Sequence, residues 1–122
     1  IFFGLATYGP FLPWGDQTTV ENCVEALERG IDLVGEENIG IGTDFTDGYD
    51  ADFFSWLRRD KGLGRALSTG FPGRPKNPEG FDGVSAYPNL TTAMQARKWP
   101  ADRIHRVMGE NWLAYLERVW QG

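Results

Sequence analysis

The sequence has little of what cross-linked folds and metal sites are built from. It contains one cysteine, Cys23, and one histidine, His105. A single cysteine excludes an internal disulfide bond, and a histidine without a second ligand at metal spacing does not predict a zinc site. We therefore expect Cys23 to be a buried, unreactive thiol inside a helix. His105, between Arg103 and Arg106, is expected to be a surface histidine or one with satisfied hydrogen bonds, not a zinc ligand.

Long apolar runs and clusters of basic residues are also absent. No run approaches the ~20 apolar residues of a membrane span, and the apolar start of the chain is short and lacks the basic flank of a signal peptide. Lys and Arg number 12 against 17 Asp and Glu, which gives a formal net charge of −5. Phosphate contacts need concentrated positive charge, and the largest basic cluster is the pair Arg58-Arg59. The sequence therefore predicts neither nucleic-acid binding nor a membrane segment, and it favours the cytoplasm over export.

What the chain does have is enough apolar sequence for one modest core. Hydrophobic residues make up 41% of its 122 positions, which is ordinary for a globular domain. The chain begins, however, inside an apolar run with no polar lead-in, whereas a natural N-terminus is usually polar and frayed. We expect residues 1–122 to be one segment of a larger domain.

Hydrophobic periodicity predicts a strand, a helix and a second strand in the first part of the chain. Residues 1–7 are apolar without alternation, as in a strand buried on both faces. A helix is predicted over 18–34, with Thr18 as its N-cap and Glu21 completing a capping box. The second strand is predicted over 39–43. Such a unit has parallel strands joined by a right-handed crossover, and two strands are too few to form a complete sheet.

The rest of the chain is predicted to be helical around one irregular excursion. That loop covers 61–86, which is rich in Gly and Pro. Further helices are expected at 51–59, after Pro88-Asn89, from Pro100 to a break at Gly109, and after an N-cap at Asn111.

Acidic and aromatic residues suggest two kinds of binding site that also have simpler explanations. One acidic run lacks the spacing of a calcium-binding loop, and we expect a solvated loop there; its members are Asp44, Asp47, Asp50 and Asp52. Three tryptophans offer a carbohydrate-binding platform, although core packing explains most tryptophans at helical spacing; they are Trp14, Trp56 and Trp99.

The second predicted strand and the residue just beyond it form the most informative stretch. Gly40 and Gly42 leave one face of the strand nearly bare, which permits close packing or the close approach of a ligand. Asp44 follows the C-terminal end of the strand, where active sites of parallel barrels are built. It could equally cap the following turn, so position alone leaves both roles open.

These residues carry a resemblance to a known family. The stretch Asn-Ile-Gly-Ile-Gly-Thr-Asp-Phe at 38–45, followed by Asp-Gly at 47–48, resembles the segment that ends the eighth barrel strand in the renal (membrane) dipeptidase family. Here Thr46 adds one residue to the family pattern. Downstream, the order and spacing of several residues are similar to the family's C-terminal helices, namely 87–91, Arg97, Ile104 and 109–113.

The resemblance implies an α/β fold, a (β/α)8 TIM-like barrel of which this chain is a part. Residues 1–122 would be the C-terminal segment of a single metallo-dipeptidase domain, supplying its last two strand–helix units and the C-terminal helices. Family members hold two zinc ions through His, Asp and a bridging Glu from earlier strands. None of those ligands is in this chain, so we expect it to bind no metal and to be inactive alone.

The resemblance also assigns roles to three residues. Asp44 matches the acidic residue that faces the metal-activated water; it would relay that water's proton to the leaving amine or hold the substrate's ammonium group. Tyr8 and Phe11 match a substrate-contacting loop after the seventh strand. The implied activity is hydrolysis of the peptide bond of dipeptides, with a homo-oligomer possible. The alternatives are a non-catalytic, structural relative of the barrel family and a carbohydrate-binding module.

Overall fold

The computed structural model describes residues 1–60 and 76–121, with the backbone alone for 57–60. Two strands and five α-helices are present in this part of the chain. Their bounds are β1 Phe3–Leu5, α1 Val20–Val34, β2 Ile39–Ile41, α2 Ala51–Asp60, α3 Tyr87–Ala96, α4 Ala101–His105 and α5 Asn111–Trp120. A π-helical turn, Arg106–Glu110, joins α4 to α5. No described helix is long and apolar enough to cross a bilayer.

The two strands are parallel neighbours, as predicted. Phe3 pairs with Ile39 and Leu5 with Ile41, and the Gly42 N–H adds a hydrogen bond to the Leu5 carbonyl at 2.9 Å. The chain is therefore α/β, while the closed barrel stays a prediction. Both strands are shorter than expected. The prediction that the first strand is buried on both faces is wrong in the described residues, because Phe3 is 47% exposed.

Helix α1 begins one residue later than predicted. Its N-cap is Thr19, whose hydroxyl accepts the Asn22 N–H at 3.3 Å, while the Asn22 side chain accepts the Thr19 N–H at 3.0 Å. Thr18 instead donates its hydroxyl to the Gly15 carbonyl at 2.6 Å. The predicted cap at Thr18 with Glu21 is thus wrong by one position. Asn22, at the third helical position, makes the capping-box hydrogen bond that was expected from Glu21, since its amide oxygen also accepts a backbone N–H.

The core lies where α1 packs against β2 and α3. Its fully buried members come from all three elements and from the π-helical turn, and include Val24, Leu27, Ile39, Leu90, Met94 and Val107. Cys23 is part of this core and has no exposed surface. Burial raises the pKa of Cys23 to about 12, because the thiolate would lose its hydration. The prediction of a buried thiol inside a helix is confirmed, and the raised pKa disfavours the reactive thiolate.

The C-terminal helices differ from the sequence prediction. Gly109 does not end a helix: it lies inside the π-helical turn, and the chain continues directly into α5. Asn111 makes no cap. It is 6% exposed, and its side-chain amide donates to the carbonyls of Glu36 at 2.7 Å and Ile39 at 2.9 Å. These contacts outweigh the local signals of Gly and Asn because they satisfy buried backbone groups.

Two carboxylates join the C-terminal helices to the first half of the chain. Glu28 accepts hydrogen bonds from Arg97 at 2.9 Å and from the Trp99 indole at 2.8 Å; the Arg97 bond is the main reason that the pKa of Glu28 is lowered. Glu36 accepts from Arg103 and Arg106. Desolvation works to raise the pKa of Glu36, but these hydrogen bonds outweigh it and lower the pKa.

The irregular excursion is described only in part. Of the predicted loop 61–86, residues 61–75 lie outside the described residues. Residues 76–83 have no helix or strand; Glu79 makes an isolated parallel bridge to Thr19. A 3-10 turn, Val84–Ala86, then leads into α3. The helix predicted after Pro88-Asn89 therefore begins three residues earlier than expected, at Tyr87, with Pro88 in its first turn.

Candidate functional site

Asp44 stands at the C-terminal end of β2, three residues beyond Ile41. Its backbone has a φ of 58°, in the left-handed region that Asp tolerates better than most residues. The Asp44 side chain is exposed. The hydroxyl of Thr43, not the Asp44 carboxylate, accepts the N–H of Phe45 at 3.2 Å. The turn after β2 is therefore capped by Thr43, which leaves the Asp44 carboxylate available for another partner.

The last peptide unit of β2 is held from both sides. Its N–H, on Gly42, donates to Leu5 of β1 at 2.9 Å. Its carbonyl, on Ile41, accepts the indole N–H of Trp112 at 3.0 Å. Successive residues of a strand turn their backbone groups to opposite edges, so the Ile41 carbonyl lies on the edge away from β1.

Asn111 binds the same edge of β2. The Ile39 carbonyl, which accepts from Asn111, is two residues from Ile41 and thus faces the same way. We call the side chains of Asn111 and Trp112 the edge clamp. Two consecutive residues of α5 thereby satisfy two alternate carbonyls of the strand that precedes Asp44. Neither contact has a sequence signal, because each joins residues about 70 positions apart.

Trp112 also explains a glycine in each strand, Gly40 of β2 and Gly4 of β1. A Cβ atom at Gly40 would lie 2.8 Å from Cδ1 of Trp112 and from Cζ of Phe2, and one at Gly4 would lie 3.2 Å from Cζ2 of Trp112. The indole ring therefore lies over the bare face of both strands. Phe2 packs beside it, with ring centroids 4.4 Å apart. Of the two explanations left open for Gly40, close packing is the one that the structure shows.

We expect Gly40→Ala to destabilise the protein by about 1–3 kcal/mol, since the added methyl group must displace the rings of Phe2 and Trp112. The matched control is Gly109→Ala, because a Cβ there has open space around it. That change should stabilise the helix by about 0.5–1 kcal/mol, as Ala replaces Gly in a helical turn. Urea unfolding followed by circular dichroism measures both. Equal stabilities for the two variants would contradict the packing of Trp112 on Gly40.

Tyr8 and Phe11 lie on the segment that follows β1. Their rings contact each other at a centroid distance of 4.9 Å in an edge-to-face arrangement. Phe11 is 66% exposed and Tyr8 is half-buried. Because parallel strands end at the same edge of a sheet, this segment and Asp44 leave β1 and β2 at the same end. The substrate-contacting role predicted for the pair stays a prediction.

A buried hydroxyl at the same end of the sheet was not anticipated. Thr7, two residues after β1, has no exposed surface, and its side-chain oxygen has no hydrogen-bond partner among the described residues. A buried hydroxyl without a partner costs free energy. Thr is common in and beside strands, so its presence gave no signal in the sequence.

The acidic run is exposed, as predicted, although Asp52 lies in α2 and not in the expected loop. All four members are at the surface, and Asp50 caps α2, accepting the Phe53 N–H at 2.8 Å. Among the described residues no group of three or more His, Cys, Asp and Glu side chains could hold a metal ion. His105 is exposed on α4, which confirms its predicted surface position. The described part of the chain therefore does not fit a zinc site.

The tryptophans do not support a carbohydrate-binding platform. Trp99 is 6% exposed and belongs to the core, with its indole N–H bound to Glu28. Trp14 lies under the guanidinium of Arg29 at 5.5 Å. A sugar needs an open aromatic face, and the buried Trp99 offers none. The carbohydrate-binding alternative loses one of its three residues.

Comparisons with known proteins agree with the dipeptidase resemblance at a coarser level. No family model matches the chain. Dipeptidase tcpJ of Claviceps purpurea (strain 20.1) is 25% identical over 114 residues, which cover 89% of this chain and 21% of that protein. A crystal structure of an amidohydrolase from Pseudomonas aeruginosa is 43% identical with a TM-score of 0.86, covering 99% of this chain and 37% of that chain. Over most of its length, the chain is thus similar to part of a protein named dipeptidase and part of one named amidohydrolase.

Proposed function

We propose that residues 1–122 are part of a metal-dependent hydrolase of the renal dipeptidase type that cleaves the peptide bond of dipeptides. The observation that carries the proposal is the similarity of nearly the whole chain to an amidohydrolase at 43% identity, joined to the position of Asp44. The similarity to a protein named dipeptidase favours a dipeptide as the substrate. The alternative, a non-catalytic relative, would keep the same fold without turnover.

Asp44 is the residue of this segment that we assign to the chemistry. Its carboxylate is exposed at the end of β2, and Thr43 rather than Asp44 caps the turn. A carboxylate in that position can take a proton from an attacking water and return it to the leaving amine. It can also bind the ammonium group of a dipeptide through a charge-assisted hydrogen bond. Both roles need the negative charge of Asp44.

The substrate wall proposed for this segment consists of Tyr8 and Phe11. The exposed ring of Phe11 and its edge-to-face contact with Tyr8 give an apolar surface on the segment that leaves the sheet at the same end as Asp44. Such a surface suits the side chain of a dipeptide, whereas the charged termini need polar partners.

The described side chains do not account for the metal ions of the proposed hydrolase. The resemblance implies two zinc ions, but the described side chains form no cluster that could bind one. We therefore propose that the zinc ligands lie elsewhere in the whole protein. The chain spans 21% of the length of the curated dipeptidase and 37% of the length of the amidohydrolase of known structure. A protein of either length has many further residues that could be metal ligands.

The test compares residues 1–122 alone with a longer natural polypeptide that contains them. We expect the longer protein to hydrolyse glycine-containing dipeptides, to lose this activity on chelation and to regain it with zinc. The 122-residue chain should show no hydrolysis and only weak zinc binding by calorimetry. A folded, zinc-loaded longer protein without hydrolysis would support the non-catalytic alternative. Tight, stoichiometric zinc on the 122-residue chain would contradict our placement of the ligands.

A further inference from the structure

We propose that Trp112 is a positioning residue for Asp44, acting through the backbone of β2. The inference rests on the proposed role of Asp44 in hydrolysis. It adds a residue from the C-terminal helix α5 to the machinery that sets the catalytic geometry. Trp112 touches neither substrate nor reacting atoms in this proposal; it fixes the strand from which Asp44 extends.

The first step of the argument is the hydrogen bond itself. The indole N–H of Trp112 donates to the Ile41 carbonyl at 3.0 Å, and the amide on the other side of that peptide unit, Gly42 N–H, donates to Leu5 at 2.9 Å. A peptide unit bonded at both its N–H and its carbonyl has little freedom to tilt, because the peptide is planar. Only Thr43 separates Gly42 from Asp44.

The second step is that the indole cannot easily leave its place. Its ring fills the space over Gly40 and Gly4, where Cβ atoms would be 2.8 Å and 3.2 Å from it. Phe2 packs against the same ring. The ring of Tyr115 makes an edge-to-face contact with it, with ring centroids 6.3 Å apart. The donor that holds Ile41 is therefore itself held by close packing, which makes the hydrogen bond a fixed restraint.

The third step is the second half of the edge clamp. Asn111, next to Trp112, donates to the Ile39 and Glu36 carbonyls at 2.9 Å and 2.7 Å. Both ends of β2 are thus attached to the start of α5. Strand and helix should move as one unit, so that the segment beginning at Asp44 starts from a fixed point. Catalysis is sensitive to such placement, since a shift of ~1 Å can cost about 10²-fold in rate.

The chain offers a matched control for the loss of an indole N–H. Trp99 is also largely buried, and its indole N–H also makes one hydrogen bond, to Glu28 at 2.8 Å. That bond joins α1 to the segment between α3 and α4 and involves no residue of β2. Trp99→Phe and Trp112→Phe therefore remove the same chemical group. Trp99→Phe should cost at least as much stability, because its partner is a carboxylate, but only Trp112→Phe removes the N–H from the strand that leads to Asp44.

The experiment measures kcat and KM for a glycine-containing dipeptide with the zinc-loaded, full-length protein. We expect Trp112→Phe to lower kcat about tenfold, with KM changed by less than about twofold, since misplacement of a catalytic group acts on the transition state. Trp99→Phe should leave kcat near that of the unaltered protein. Replacing Trp112 by β-(3-benzothienyl)alanine, which keeps the double ring but has no N–H, should reproduce the loss if the phenylalanine variant folds poorly.

Asp44→Asn in the same assay distinguishes failure of the role proposed for Trp112 from failure of the role proposed for Asp44. If Asp44→Asn loses turnover but both Trp112 replacements keep wild-type kcat, Trp112 is merely structural and the inference is wrong. If Asp44→Asn retains turnover, the proposed function of Asp44 fails and the inference fails with it. Equal loss of kcat in the Trp112 and Trp99 variants would point to general destabilisation and would also overturn the inference.

Discussion

From the role proposed for Asp44, we expect its replacement by Asn in the full-length, zinc-loaded protein to lower the turnover of dipeptides by about 10²–10⁴-fold, the usual contribution of general acid–base catalysis. Asn has nearly the same shape and can still form hydrogen bonds, but it cannot accept and return a proton. The melting temperature and the zinc content should stay close to those of the unaltered protein, because the Asp44 side chain is exposed and Thr43 supplies the cap of the turn.

A matched control exists three residues further along. Asp47→Asn makes the same chemical change at another exposed member of the acidic run, and we expect wild-type turnover from it. Asp50 is unsuitable as a control, because its carboxylate caps α2. Steady-state kinetics, zinc content and melting temperature should be measured on the same samples. Near-wild-type turnover of Asp44→Asn would show that Asp44 is only a turn residue.

The contacts that local patterns control were predictable from the sequence. The apolar stripe of α1 and the apolar strands on either side of it predicted that β1 and β2 pair in parallel. The structure confirms this pairing. The error at the helix start was small for a physical reason: Thr18 and Thr19 are both good caps. The hydrogen bond from the Thr19 N–H to the Asn22 side chain selects Thr19 as the cap. A search for Glu or Gln at the third helical position overlooks this bond.

The start of α5 shows where such prediction stops. Gly109 and Asn111 are helix-ending and helix-capping residues in most contexts, yet here the helix runs on through a π-helical turn. The reason is tertiary. Asn111 and Trp112 bind carbonyls of β2 that lie about 70 positions away in the sequence. A local sequence pattern does not indicate which distant carbonyls lack a hydrogen-bond donor.

The candidate site divides in the same way. The position of Asp44 past a strand could be predicted, because it depends on where one strand ends. Its support could not, since that support comes from a side chain of the last helix. Gly40 supplied half of the information: it indicated that something approaches the strand closely. Only the structure identifies it as the ring of Trp112.

Asn111→Asp is expected to cause the largest loss of stability, about 3–5 kcal/mol near neutral pH, since it leaves a buried charge without a partner. The amide of Asn111 donates to two backbone carbonyls, and a carboxylate in its place would repel both of them. The matched control is Asn89→Asp: the Asn89 side chain also donates to a backbone carbonyl, that of Gly80 at 2.9 Å, but is exposed. There water can solvate the new charge, and the loss should stay below about 1 kcal/mol.

The pH dependence of this loss tests its cause. Burial beside carbonyls should raise the pKa of the introduced carboxylate above its unfolded value of about 3.9. A group with a raised folded-state pKa loses its stability contribution as the pH rises through that pKa. The deficit of Asn111→Asp relative to the unaltered protein should therefore shrink as the pH falls from 7 toward 4. Glu28, whose pKa is lowered, titrates in both proteins and cancels in the difference. Urea unfolding at several pH values measures this deficit; one that stayed constant with pH would mean that the introduced carboxylate is solvated, and that Asn111 does not hold β2 as the structure shows.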